Sequence, residues 1–423
     1  MTERINVKRF RQEVLFNRLP NGLPVYFFPK KNYNKSFAMF ATNYGSADSK
    51  FVIKGGTVTS PGGVAHFLEH KLFDQPDGNA LNKFASLGAS PNAFTSQVMT
   101  AYHFESTEKF YDNLEILLDF VSNPYFTKES VDKEQGIIGQ EIGMVEDTPS
   151  WKAYNLLFEA LFNEHTVKNS IIGTVESIAK ITPEILYQCH SAFYSPENMV
   201  LVAAGDQDMD RILELAERHT KKENCSVAGR IYGEEKINSA SRKKELRMQL
   251  SMPIFMLGFK TVPPEPSKDR FRNELLGELS AEYLLGASSK LYQTLYTGGL
   301  INRSFEWGYS LFPKTAVFMA GGESREPERV FELVLKEAGR IKTEGMDPEL
   351  FESIKKASAG IKIRTLDSEE ALCSAQVSSY FGGAFFLDFP GVYDSIGKDD
   401  VADFIERNIR EESGAISVVY PNA

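Results

Sequence analysis

The chain has 423 residues, more than one ordinary hydrophobic core accommodates, so two domains are expected. Hydrophobic residues make up 42% and charged residues 25%, the balance of a water-soluble globular protein. The formal net charge of -10 argues against nucleic acid or an anionic membrane as the main partner, because both need a basic face, and it leaves neutral or basic peptides open.

The opening stretch, MTERINVKRFRQEVLFNRLPNG, holds no apolar core of signal-peptide length. No run approaches the ~20 apolar residues of a membrane helix. The cysteines Cys189, Cys225 and Cys373 are widely spaced and form no C-x-x-C pair, which suits a reducing compartment and offers no disulfide frame. A cytoplasmic location is the expectation.

NGLP is a turn signal, and LPVYFFPK and KSFAMFATNYGSA after it are rich in β-branched and aromatic residues, as strands are. Pro61-Gly62-Gly63 then halts the chain before GGVAHFLEHKLF, whose Val64, Phe67, Leu68 and Leu72 recur at helical spacing. ASPNAFTSQVMTAYHFES alternates like a strand pair. KFYDNLEILLDFVSNP predicts an amphipathic helix ending before Pro124, and TKESVDKEQGIIGQEIGMVED predicts another with a threonine at its start. A polar stretch from about Glu217 to Lys244 reads as a linker.

The second half repeats the order. SMPIFMLGFKTV is strand-like, NELLGELSAEYLLGASSKLYQTLY is helical, FEWGYSLFPKTAVFMAGGE is strand-like again, and two helices follow. A duplicated αβ domain, hence an α+β fold, is the natural reading, with a first domain over 1–225, a linker over 226–244 and a second domain over 245–423. All six histidines lie in the first copy, so chemistry is expected there.

On a helix over Val64–Leu72, His66 and His70 stand one turn apart on one face and can converge on an ion. Glu69 lies beside them, near enough to take a proton from water without binding the metal. Two imidazoles, a carboxylate and a water suit zinc. HFLEH is the reversed order of the H-E-x-x-H hydrolase motif. A third ligand is offered by EQGIIGQE, where Glu134 and Glu141 are two helical turns apart on one face. One acid can reach the metal while the other orients a histidine. Spacing alone does not choose between them.

The combination of GGVAHFLEHKLF, NAFTSQVMTAYHF, EQGIIGQEI, IIGTVESIAKITPEILYQ and FYSPENMVLVAAGD, in this order over most of 51–206, resembles the pitrilysin/insulinase family of zinc peptidases, in the short-chain branch typified by the mitochondrial processing peptidase. The resemblance implies that His66, His70 and Glu141 hold Zn2+, that Glu69 is the general base and that Glu134 is a second acid near the site. It places NAFTS on an edge strand, where Asn92 and Ala93 would pair with an extended peptide substrate. It implies two αβ domains, each a mainly antiparallel sheet with helices on one face, forming half of a clamshell. A single half-shell implies a homodimer, or a heterodimer with a sibling lacking the zinc motif.

One departure stands out. Active relatives usually carry an arginine and then a tyrosine, seven residues apart, after an S-R-L-x-x-x-L helix, to stabilise the oxyanion. Here SSKLYQTLYTGGLINRSF offers Lys290 at the helix arginine, then Tyr296 and Arg303 in the reverse order. Tyr296 and Arg303 are candidates for that role. The expected activity is a zinc-dependent endopeptidase acting on peptides or small unfolded segments. The alternative is a non-catalytic scaffold subunit, against which the intact His66, His70, Glu141 and Glu69 set counts. General peptide turnover and dedicated processing of one product are not separable from sequence.

Overall fold

The computed structural model describes residues 2–221, 229–261 and 270–422. Seven strands form the first sheet, in the spatial order Glu3–Val7, Gln12–Arg18, Pro24–Pro29, Met199–Gly205, Ser36–Thr42, Thr100–Ser106 and Ser90–Thr95. Five form the second, in the order Lys243–Met248, Gly414–Pro421, Ile254–Thr261, Thr315–Glu323 and Glu306–Phe312. The second order reproduces the last five places of the first. In each, the first of these pairs runs parallel and the other three antiparallel. The duplication read from the sequence is thus a duplication of topology.

Ser36–Thr42 is buried at every residue, which requires cover on both faces. Ala38 and Phe40 join Phe27, Tyr102, Phe104 and Leu201 in the core beneath the first half's own helices. Phe37, Met39 and Ala41 point the other way, with Phe28, Val200 and Val202, into a core shared with the second half. The cover on that side is the helix Glu369–Phe381, packed on Met199–Gly205 and Ser36–Thr42. The exchange is mutual. The helix Pro149–Leu161 crosses to the second sheet, where Leu157, Phe158 and Leu161 pack with Val317 and Ala415. Each half therefore keeps its own helices on one face and has the other face closed by a helix from its twin. Every large apolar side chain so buried contributes about 1.5–3 kcal/mol.

Between the halves, Gly229–Arg230 pairs antiparallel with Lys50–Ile53, and Tyr232 donates its hydroxyl hydrogen to buried Asp48 at 2.8 Å. Cys225, the expected boundary at that residue and linker residues 226–228 lie outside the described residues. No helix among the described residues is long and apolar enough to cross a membrane.

Candidate metal centre

The helix Val64–Leu72 begins at Gly63, whose φ of 89° is strained for any residue with a side chain. A Cβ there would also sit 2.6 Å from the Ile172 carbonyl oxygen. Val64, Phe67, Leu68 and Leu72 are buried and pin the helix to the core. His66 is buried and His70 half-buried, with ring centroids 4.6 Å apart. The facing helix, Lys128–Glu146, starts at Thr127, where Thr127 and Ser130 cap each other's backbone amides. Val131, Ile138 and Ile142 bury one side of it, and Glu134 and Glu141 come to the histidines from that helix.

Glu141 sits between the two imidazoles. Its Oε1 lies 3.6 Å from His66 Nε2 and its Oε2 lies 3.6 Å from His70 Nε2. Those separations are too long for good hydrogen bonds. They are close to the roughly 3.4 Å between neighbouring ligand atoms that a tetrahedral ion with ~2.1 Å bonds would impose. One donor atom from each of the three residues falls within 4.8 Å of the others, and this is the one such group found among the described residues.

Glu134 is buried and accepts from His70 Nδ1 at 3.0 Å. That bond selects the tautomer with hydrogen on Nδ1 and leaves the Nε2 lone pair facing Glu141. For His70, burial works against the charged form, but the Glu134 bond and the charges of Glu134, Glu141 and Glu69 outweigh it, and its pKa is raised. Burial, reinforced by His70, brings His66 down to about 3, so its imidazole is neutral and carries a lone pair. Two imidazole nitrogens and a carboxylate are a donor set zinc takes.

Glu69 is not one of the three converging groups and accepts a 2.6 Å hydrogen bond from Thr95 Oγ1. Burial raises its pKa against the opposing effects of the Thr95 bond and His70, and the charge of Glu141 adds to the rise. Thr95 ends the strand Ser90–Thr95, which among the described residues is bonded on one side only, to Thr100–Ser106. Asn92 and Ala93 lie on this edge strand, opposite His103 and Tyr102, and Asn92 Oδ1 accepts the Ala93 amide at 2.9 Å.

The later pair is not gathered into the cluster. Tyr296, on the helix Lys290–Thr297, is exposed and stacks on Tyr292 with centroids 5.8 Å apart. Arg303 is exposed in the turn before Glu306–Phe312 and has no hydrogen-bond or ion-pair partner among the described residues. Other histidines are held by structural bonds: His165 Nε2 to the Pro313 carbonyl and His190 Nε2 to the Val121 carbonyl, each at 2.9 Å. Two residues beside the centre escaped the sequence reading. Thr95 carried no signal beyond its place in NAFTS. Lys71 did, as a charge on the apolar stripe of the motif helix.

Fold and site together define a duplicated α+β chain with one candidate metal centre among its described residues. Residues 51–175 match the model described as Insulinase (Peptidase family M16), and residues 180–358 match that described as Peptidase M16 inactive domain. A Bacillus subtilis (strain 168) protein named "Uncharacterized zinc protease YmfH" is 36% identical over 100% of both chains. A second from that organism, "Uncharacterized zinc protease YmxG", is 24% identical over 74% of this chain and 76% of its own. The crystal structure of a putative M16-like peptidase from Alicyclobacillus acidocaldarius has a TM-score of 0.93 at 33% identity, covering 97% of this chain and 99% of that one. A protease from Helicobacter pylori shares the fold, with a TM-score of 0.81 at 17% identity over 97% and 100% of the two chains. The chain belongs to the insulinase family, peptidase family M16, and has its two-domain α+β half-shell build.

Proposed function

We propose that this protein is a zinc-dependent endopeptidase that hydrolyses peptides or small unfolded segments. The observation that carries the reading is the convergence of His66 Nε2, His70 Nε2 and Glu141 on one point, with Glu134 orienting His70 and Glu69 alongside. His66, His70 and Glu141 would hold the zinc. When bound, the ion supplies Lewis-acid polarisation to a water and to the scissile carbonyl. Glu69 takes the proton of the attacking water and passes it to the departing amine nitrogen as the C–N bond breaks. Its raised pKa brings it nearer the range where one carboxyl both accepts and returns a proton. The edge strand with Asn92 and Ala93, whose outer side pairs with no strand among the described residues, offers its backbone to an extended peptide, and Thr95 ties its end to Glu69.

We further read the chain as one half of a dimeric chamber in the cytoplasm, a homodimer or a pair with a sibling lacking the motif. Arg303 and Tyr296 would act on the substrate carbonyl from the second half. A scaffold role is the second reading. It is favoured by the reversed order of the pair and by Arg303, which is exposed and has no partner among the described residues. Metal analysis tests the first reading. The purified chain should carry one zinc, and His70→Ala should lose it while keeping its circular dichroism. Equal metal content in the variant would remove His70 from the ligand set. Sedimentation of the purified chain measures the assembly, and a monomer at all concentrations would speak against a homodimer.

A further inference from the structure

The motif helix carries a lysine that neither the ligand set nor the base accounts for. Lys71 follows Phe67 and Leu68 by one turn on the buried stripe, and its side chain has no solvent exposure. An ammonium is costly to bury unless it is paired. Two carboxylates pair it. Nζ donates to Asp74 Oδ2 at 2.5 Å and lies 4.0 Å from Glu134 Oε2. Glu134 gives its other oxygen, Oε1, to His70 Nδ1 at 3.0 Å. On the far side, Asp74 Oδ1 accepts from Asn79 Nδ2 at 3.1 Å, and Asn79 caps the helix Ala80–Ser86. A continuous line of contacts therefore runs from Asn79 through Asp74, Lys71 and Glu134 to His70.

The line has a mechanical consequence. A carboxylate held at one oxygen can still swing about its side-chain torsions, whereas one whose second oxygen is also drawn by an ammonium 4.0 Å away swings less. Lys71 and His70 belong to the motif helix, and Glu134 belongs to the helix that also carries Glu141. Contact with Glu134 thus also fixes how the two ligand-bearing helices meet. Lys71 further sets one positive charge between Glu134 and Asp74, which would otherwise repel one another.

We propose that Lys71 is a positioning residue of the metal centre, clamping Glu134 so that Glu134 aims His70 Nε2 at the ion. The proposal rests on the reading of His66, His70 and Glu141 as zinc ligands. Lys71 itself touches neither metal nor substrate.

The test compares wild type, Lys71→Met and the double variant Lys71→Met/Asp74→Asn. Methionine keeps the length and bulk of the lysine stem, and the second change removes the charge left on Asp74. Zinc affinity is measured by competition with a chromophoric chelator, the visible spectrum of the Co2+-loaded protein reports ligand geometry, and thermal unfolding of the metal-free chain reports stability. The expected result is a zinc Kd raised about ten- to a hundredfold in both variants, as for loss of other outer-shell partners, with an altered cobalt spectrum. The weakened binding persists in the double variant even where its metal-free Tm returns to the wild-type value. A Kd and cobalt spectrum equal to wild type in the folded double variant would overturn the proposal and leave Lys71 a filler of the helix interface. A wild type that takes up no zinc would instead sink the ligand reading, and the proposal with it.

Discussion

Glu235 anchors the segment that joins the two halves, and Glu235→Gln tests how much that anchor contributes. The carboxylate accepts from the backbone amides of Asn163, Glu164 and His165, with shortest distances of 3.1, 2.9 and 3.0 Å. It also accepts from Lys260 Nζ at 2.8 Å, and that ammonium donates a second bond to the Leu161 carbonyl at 2.8 Å. The side chains of the pair are 1% and 9% exposed, so this is a buried ion pair joining the connecting segment, the end of the crossing helix and the second sheet. Glutamine removes the counter-charge and leaves the Lys260 ammonium in the interior, a loss of about 3–5 kcal/mol. Lys260→Met is milder, because Glu235 keeps its three amide donors; roughly 1–3 kcal/mol is expected. Urea unfolding followed by far-ultraviolet circular dichroism measures both. Burial works against the ionised Glu235, but the Lys260 and amide bonds outweigh it and bring its pKa from 4.5 to about 2. The folded-state pKa is depressed, so its stabilisation is complete above pH 4.5 and fades as pH falls toward 2. The gap between wild type and Glu235→Gln should close in that window. A cost under about 1 kcal/mol at pH 7, or a larger cost for Lys260→Met than for Glu235→Gln, would refute the reasoning.

Two further variants probe the site and its support. Gly63→Ala places a Cβ at φ 89° and 2.6 Å from the Ile172 carbonyl, and should destabilise the protein by about 1–3 kcal/mol, read as a lowered urea midpoint; an unchanged midpoint would remove the strain argument. Arg303→Ala alters an exposed side chain with no partner among the described residues, so stability should stay within about 0.5 kcal/mol while kcat falls; unchanged kcat would return Arg303 to the ordinary surface.

Local pattern carried the motif helix. Pro61-Gly62-Gly63 and the spacing of Val64, Phe67, Leu68 and Leu72 place its start and its buried face within a residue. The strand pair at Ser90–Thr95 and Thr100–Ser106 and the repeat of element order along the chain were legible for the same reason, though the shared strand order within the two sheets was not. The choice between Glu134 and Glu141 was not. Seven residues put both on one face but about 10.5 Å apart along the axis, and which one stands level with the imidazoles depends on how two helices cross. The helical run after residue 270 reads as one segment, yet it breaks after Leu285, and Ser289 caps a new helix through the Tyr292 amide at 3.0 Å. The opening hairpin, Glu3–Val7 with Gln12–Arg18, went unread because its residues are mostly half-buried or exposed and mix charge with apolar side chains. The exchanged helices were invisible in principle. Nothing local to Leu157 or Phe158 says which of two similar sheets they will cover.

Peptide cleavage tests the central claim most directly. The purified chain with added zinc is incubated with a mixed pool of unstructured peptides, beside Glu69→Gln at equal zinc loading, and products are read by mass spectrometry. The account predicts cleavage by the wild-type chain and its loss in Glu69→Gln, with zinc retained in both. Equal cleavage by the two would remove Glu69 from the mechanism, and no cleavage by a zinc-loaded wild-type chain would contradict the reading of a self-sufficient peptidase.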